Sequence, residues 1–347
     1  MAKASNNCLW EKVASELVTH IEKSNLKPGS KFFSADEVSE RFNVSNITSR
    51  RALSELANMN LIEKSRGRGC VVKEKHAIET IFILGNDEIK QPISLQSFVY
   101  SELYKGILNE CRRHNINTKV ISTQLFNNFP ENTRMDLILM QNFPTHLPEI
   151  TKRLSHDANI NCVCCHALNP IEGIGTVRSD LGKGAYDAVS HMIKNGHKRV
   201  ALIGIGTTGW SASRFDGYYQ ALKDNKIDFD ANIVETAAMD ERSHFDAIDK
   251  LMRKEEPPTA IFALSDANAL FVLEYCQQNG LKTPDDLALI GFDNTPESAL
   301  ANPSLTTVDA MLEEEGKEAV RLLMLNLPKN NIKDITLKPE LIVRKSA

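Results

Sequence analysis

The sequence predicts an α/β protein in two parts. A small N-terminal head of three helices closed by a hairpin precedes a large body of parallel sheets with helices on both faces. Three observations lead there. From residue 81 onward, short unbroken apolar runs alternate with helical stretches, as strands buried on both faces require. Ahead of them, closely spaced capped helices end at the basic tip Arg66-Gly67-Arg68-Gly69. The charge divides at the same place: residues 1–75 carry 13 Lys/Arg against 9 Asp/Glu, net +4, and the rest 28 against 36, net −8.

In the head, Trp10, Val13, Ala14, Leu17, Val18 and Ile21 recur at helical spacing. Leu26-Lys27-Pro28-Gly29 stops that helix with a turn. Ser34 with Glu37 three residues later reads as a capping box, opening a second helix that carries Val38 and Phe42 inward. After the tight turn Asn43-Val44-Ser45, the Ser45 hydroxyl is placed to cap a third helix. On it, Ala52, Leu53, Leu56 and Met59 share one side, and Asn46, Ile47, Arg50, Arg51 and Ser54 the other. Leu61–Lys64 and Cys70–Val72 are the hairpin strands. A capped helix free to enter a major groove, beside a basic tip that meets phosphate, suits double-stranded DNA.

Lys27-Pro28-Gly29, Val44-Ser45, Arg50-Arg51-Ala52-Leu53 and Gly67-Arg68-Gly69 together resemble the winged helix-turn-helix heads of GntR-type regulators over residues 9–73. The resemblance implies operator contacts from Ser34, Thr48, Arg50, Arg51 and the wing residues Arg66, Gly67 and Arg68; Ser45, Asn46 and Ser49 at the start of the third helix are DNA-binding candidates beside them. It also exposes departures: an aspartate, Asp36, stands where relatives carry a base-reading arginine, and Asn46 replaces the arginine common after the Val-Ser turn. Asn46 is expected to read adenine, because amides pair bidentately with its N6/N7 edge.

The body's strands fall at Ile81–Leu84, Lys119–Ile121, Leu137–Met140, Cys162–Cys165, Val200–Ile205, Ala260–Leu264 and Leu287–Gly291. Gly204-Ile205-Gly206-Thr207-Thr208-Gly209 matches the dinucleotide fingerprint, which suggests an NAD site. Against it, the next helix is expected to begin only after Arg214, too late for the third glycine to pack it. No cofactor is therefore expected. Cys162, Cys164, Cys165 and His166 resemble a metal set, but strand alternation sends Cys162 and Cys164 to one face and Cys165 to the other. No metal site is expected.

An ordered series of motifs then narrows the body. Asp180-Leu181-Gly182-Lys183-Gly184, Asn195-Gly196-His197-Lys198-Arg199-Val200, Arg214-Phe215-Asp216-Gly217-Tyr218, Ser265-Asp266, Gly291-Phe292-Asp293-Asn294 and Leu305-Thr306-Thr307-Val308 appear in sequence. Over residues 81–346 this is similar to the effector domain of LacI-type repressors, related to periplasmic sugar-binding proteins. The resemblance implies two lobes joined by three crossings, with a ligand closed between them. It implies effector contacts from Arg214 and Asp293, whose guanidinium and carboxylate each grip vicinal hydroxyls. Ser265, Phe98, Tyr100 and His166 are further candidates, the aromatics as stacking surfaces for a sugar. Few residues separate Ser122 from Leu137, where relatives fit a full helix, so the first lobe is expected to lack one.

The domains expected are residues 1–73, a linker at 74–80 and an effector-binding and dimerisation body at 81–347. The composition, 42% hydrophobic and 25% charged, is that of a soluble globular chain. No eighteen-residue apolar run suggests a membrane span, and no apolar signal core follows Met1. Seven cysteines without framework spacing fit a reducing cytoplasm. The function expected is a homodimeric repressor, not an enzyme, binding operator DNA under control of a saccharide. The alternatives are a regulator sensing NAD/NADH or a nucleobase, and more remotely a Rossmann-type oxidoreductase. No heptad tail follows Ser346, so a tetramerising coiled coil is not expected.

Overall fold

The computed structural model describes residues 9–347 except 25, 27–28, 59–60, 66–68, 74–77, 85–94, 131–132, 141–147, 205–208, 328 and 330. The head consists of α1 (Leu9–Lys23), β1 (Lys31–Phe32), α2 (Ala35–Phe42), α3 (Asn46–Asn58), β2 (Ile62–Ser65) and β3 (Gly69–Val72). Its core joins Val13, Ala14 and Leu17 of α1 to Val38, Ala52, Leu53, Leu56, Ile62 and Val72, so the apolar sides read from helical spacing face one another. Met59 lies outside the described residues. The capping box at Ser34 forms, and Asn43 ends α2 in the left-handed conformation at φ 50°. Strand β1 is an addition to the expected hairpin: it pairs antiparallel with β3 and buries Phe32.

The first lobe contains β4 (Thr80–Leu84), α4 (Leu95–Arg113), β5 (Asn117–Ile121), α5 (Thr123–Asn128), β6 (Met135–Met140), α6 (Pro148–His156), β7 (Ile160–Cys165) and β8 (Gly175–Ser179). The chain then crosses to the second lobe. There it forms α7 (Leu181–Lys194), β9 (Val200–Gly204), α8 (Trp210–Asp224), β10 (Val234–Thr236), α9 (Glu241–Met252), β11 (Ala260–Ala263), α10 (Asp266–Gln278), β12 (Ala288–Phe292), α11 (Pro296–Leu300) and β13 (Thr306–Asp309). It returns to the first lobe for α12 (Leu312–Met324) and β14 (Asp334–Leu337), and crosses a third time into β15 (Glu340–Ile342).

The two six-stranded sheets run β14-β8-β7-β6-β4-β5 and β10-β9-β11-β12-β13-β15. Every pairing is parallel except β13 with the edge strand β15. Strands β6, β9, β11 and β12 are buried along their whole length, which is why they read as apolar runs. The three crossings therefore fall at β8–α7, β13–α12 and β14–β15.

Two expectations are corrected. Helix α8 begins at Trp210, directly after Gly209, whose φ of 61° places it as the cap residue. The third glycine thus does open a helix, and the objection raised from helix position falls; residues 205–208 lie outside the described residues. The first lobe is also not without a helix between Ser122 and Leu137. The six-residue α5 stands there, capped by Leu125 N–H donating to Ser122 Oγ at 3.1 Å.

The first lobe closes through a tight contact between α4 and α12. A Cβ at Gly106 would lie 2.0 Å from the Glu313 carbonyl oxygen, and one at Gly316 would lie 2.2 Å from that of Leu103. Neither backbone atom yields without parting the helices, whereas a flexible side chain would. Gly106→Ala is expected to cost about 1–3 kcal/mol, the range for overpacking, measured as a lowered midpoint in urea. An unchanged midpoint would show that the helices separate freely. Head and body also touch, through Lys333 Nζ and Glu55 Oε1 of α3 at 3.2 Å.

Candidate functional site

The head presents the first turn of α3. Ser45 Oγ accepts from the Thr48 N–H at 3.2 Å and lies 2.9 Å from Thr48 Oγ1, so both hydroxyls belong to the cap. Ser34 is likewise engaged: its Oγ accepts from Glu37 N–H at 3.2 Å, and its own N–H donates to Glu37 Oε2 at 2.6 Å. Arg50 is exposed. The Arg51 guanidinium lies over the Trp10 ring at 4.6 Å and so leans on α1. Ile47 is 81% exposed. The Asn46 amide donates from Nδ2 to Asp36 Oδ1 at 2.5 Å.

Ser49 does not join this surface. It is fully buried, and its hydroxyl donates to the Ser45 carbonyl at 3.1 Å. Its place one turn before Leu53 puts it on the packed side, so its expected role at DNA is withdrawn. Arg66, Gly67 and Arg68 lie outside the described residues.

In the body, the strand ends of the two lobes bring together Arg214, Asp293 and His166. Arg214, on the second turn of α8, donates from Nη2 to Asp293 Oδ1 at 2.8 Å and from Nη1 to the Leu264 carbonyl. Its guanidinium lies 3.9 Å from the Phe292 ring centroid. Asp293 follows β12 at φ 112°, a conformation rare outside glycine, which turns its carboxylate toward the arginine. Arg214 Nε and Asp293 Oδ2 are buried without a hydrogen-bond partner, a donor and an acceptor held on adjoining groups. Such atoms are costly unless something pairs with them. Burial raises the Asp293 carboxyl pKa, against the charge and hydrogen bond of Arg214.

His166, also at positive φ, donates from Nδ1 to the buried Glu315 at 3.2 Å. Its ring stacks on Trp210 at 5.3 Å and 12°. The first lobe's histidine and the second lobe's tryptophan thus meet face to face. They border a cavity of about 320 Å³ also lined by Arg178, Asp180, Ser213 and Asp216. A second cavity, about 240 Å³, lies between Phe98 of α4 and Asp293, Asn294 and Asp309.

Two candidates differ from expectation. Ser265 Oγ caps α10, accepting from the Asn268 backbone at 3.2 Å and its side-chain amide at 2.8 Å. Tyr100 packs half-buried against the core near Cys164 and Cys165, its phenol pushed up to about 12 chiefly by burial. Ser265 is thus held at a helix cap and Tyr100 against the core. The cysteines divide as alternation requires: Cys162 and Cys164 join one hydrophobic cluster and Cys165 another.

Sequence reasoning missed Trp210, Glu315 and Asp266. Asp266 is fully buried, accepting from Thr307 Oγ1 at 2.5 Å and Thr295 N–H at 2.8 Å. Burial, then the neighbouring Asp293, raises its pKa to about 7. The signal available was its place at the first position of α10, where a carboxylate favours the helix dipole.

Comparison with known proteins agrees with both halves. Residues 9–72 match the model of bacterial regulatory proteins of the gntR family, and residues 189–347 that of the periplasmic binding protein-like domain. The HTH-type transcriptional repressor CytR of Escherichia coli K12 is 32% identical over 233 residues, 65% of this chain and 68% of that protein. The HTH-type transcriptional regulator DegA of Bacillus subtilis is 35% identical over 180 residues, 51% of this chain and 53% of its own. Among solved structures, a transcriptional regulator CelR–cellobiose complex covers 98% of this chain and 100% of its own, with TM-score 0.63 at 20% identity. A LacI family regulator from Enterococcus faecium with bound ribose covers 77% and 98%, with TM-score 0.62 at 22% identity. The chain belongs to the LacI-type DNA-binding transcriptional regulators, which answer to a small-molecule effector, and carries a gntR-family head in front of the effector-binding body.

Proposed function

We propose that this regulator works as a homodimeric repressor in the cytoplasm, with a saccharide held between the lobes controlling its grip on an inverted-repeat operator. The observation that carries the ligand reading is the Arg214–Asp293 pair, with its unpaired Nε donor and Oδ2 acceptor. Neighbouring sugar hydroxyls both accept and donate, so one vicinal pair satisfies both atoms. The His166–Trp210 stack gives an apolar face for the C–H side of a sugar ring. Cellobiose and ribose in the two structural neighbours support the same class. The stacked rings also favour a second reading, a nucleobase. No turnover is proposed, and no helix among the described residues is long and apolar enough to cross a membrane.

In this reading residues 1–73 act as the DNA-binding unit and 81–347 as the ligand-binding and dimerisation unit. Two heads related by a twofold match two half-sites. A ligand shifts operator affinity only if it binds one lobe arrangement better than the other. A thermal-shift screen against pentoses, hexoses, sugar phosphates, nucleobases and NADH tests the ligand class. A ligand at 100 times its Kd adds about 2.7 kcal/mol. A free saccharide hit supports the proposal; a response confined to nucleobases or NADH overturns it.

The exposed Arg50 is assigned to base reading. Arg50→Ala is expected to weaken operator binding by about 1–3 kcal/mol while leaving random duplexes nearly unaffected. Equal loss on both, measured by fluorescence anisotropy, would make it a phosphate contact instead.

A further inference from the structure

We infer that the effector is a ribonucleoside, its ribose diol held by Arg214 and Asp293 and its base slotted between His166 and Trp210. This rests on the assignment of the Arg214–Asp293 pair to a saccharide, and adds what that saccharide carries. Two recognition features of different kinds stand side by side between the lobes. One is the unpaired Nε of Arg214 with the unpaired Oδ2 of Asp293, a buried donor on one group and a buried acceptor on its partner. The other is a pair of heteroaromatic rings from opposite lobes, parallel to within 12° with centroids 5.3 Å apart.

The rings are walls. His166 donates from Nδ1 to the buried Glu315 of α12 at 3.2 Å, so its plane is set from the first lobe. Trp210 is the first residue of α8, so its plane is set from the second. As they stand, each ring covers the other. A flat ring entering between them needs van der Waals distance on both faces, so the walls must part by about 3.5 Å while staying parallel. A nucleobase is such a ring, with two π faces that each gain from stacking. A free sugar on the Arg214–Asp293 pair leaves the two walls on one another. A free base in the slot leaves the buried donor and acceptor unpaired, which is costly.

The spacing joins the two halves. Trp210 and Arg214 lie four residues apart on α8, so their side chains are neighbours, with Cβ atoms about 5–6 Å apart. Asp293 accepts from Arg214 at 2.8 Å, and the His166 ring acts electrostatically on the same carboxyl. Slot and diol grip are therefore adjacent, as base and ribose are when one glycosidic bond joins them. Vicinal hydroxyls on the ribose supply an acceptor for Nε and a donor for Oδ2. The cavity that borders the stack brings Arg178, Asp180 and Ser213 beside the slot, donors and acceptors for the edge of the base.

Thermal shift and titration of the intact protein with adenosine, guanosine, cytidine and uridine test this, each beside its 2′-deoxy form, its free base and D-ribose. At least one ribonucleoside is expected to bind about tenfold more tightly than D-ribose, as stacking of one base implies. Its 2′-deoxy form leaves a buried polar atom unpaired and should bind about tenfold more weakly. Trp210→Ala should remove the advantage over D-ribose and keep the preference for the 2′-hydroxyl. Trp210→Phe, which keeps a ring face, should retain most of both. D-ribose binding as tightly as every ribonucleoside overturns the inference and leaves the saccharide reading intact. A deoxynucleoside that matches its ribo form removes the diol grip, and a free base that matches its nucleoside overturns both readings. Silence across the set overturns the inference, and the hexoses of the wider screen then decide the saccharide reading.

Discussion

Replacing Arg214 by alanine is expected to abolish the stabilisation that effector confers, while operator binding by the head persists. Arg214 is buried, donates to Asp293 and to the Leu264 carbonyl, and covers the Phe292 ring. Removing one partner of such a pair typically costs 3–5 kcal/mol, because the other charge stays buried. Here the loss should sit near the low end, about 3 kcal/mol, since Asp293 already has a raised carboxyl pKa and can take a proton. Arg214→Lys separates binding from folding. It restores a positive charge but not the planar fork that reaches Asp293 and Leu264 together. If the lysine variant folds yet gives no thermal shift with a saccharide that stabilises the parent, the fork is the ligand contact. A full shift in either variant would remove Arg214 from the effector site.

The second large effect is on pH. Asp266 has its carboxyl pKa raised from 3.8 to about 7 by burial and by Asp293. In the pH range between those values the folded protein binds more protons than the unfolded chain, so stability falls as pH rises. The contribution is complete below about pH 4 and lost by the time pH has passed through about 7. A displacement of roughly three units corresponds to about 4 kcal/mol. Asp266→Asn removes the titration but leaves Thr295 N–H facing an amide. The variant should be the less stable protein at pH 5 and recover ground steadily toward pH 8. Urea midpoints at four pH values would show it, and parallel curves for the two proteins would contradict the assignment. Asp293, raised in the same direction, leaves a residual slope in the variant.

The fold was largely legible because its strands are buried on both faces, and such strands have little freedom of composition. Val200–Gly204 and Ala288–Phe292 could hardly be anything else. Strands without an apolar run escaped: β14 is exposed or half-buried throughout, β1 has two residues, and β8 is Gly-Thr-Val-Arg-Ser despite its burial. The start of α8 was misplaced because Trp210-Ser211-Ala212-Ser213 follows a glycine and contains serines, which locally favour caps and turns over helix. Tertiary packing of Gly217 against the Gly182 carbonyl supplies what propensity lacks. In the candidate sites, Arg214 and Asp293 could be named from their motifs, but not their direct bond across 79 positions. Ser45 and Ser49 look equivalent in sequence and are one turn apart; Ser45 stays exposed because it stands ahead of α3 as its cap, while Ser49 lies within the helix and is buried. Trp210 gains its meaning only from His166 in the other lobe.

The three crossings also set an order in time. Translation starts the first lobe at β4, yet α12 and β14 belong to it and emerge only as residue 337 is reached. At ordinary elongation rates the interval is roughly ten to fifty seconds. Throughout it the Leu103–Ile107 face of α4 has no covering helix, and β8 has an open edge. The second lobe, by contrast, has every parallel strand by Asp309 and wants only the short antiparallel β15. The half of the body begun later thus has its sheet complete, apart from one edge strand, before the half begun first receives α12 and β14.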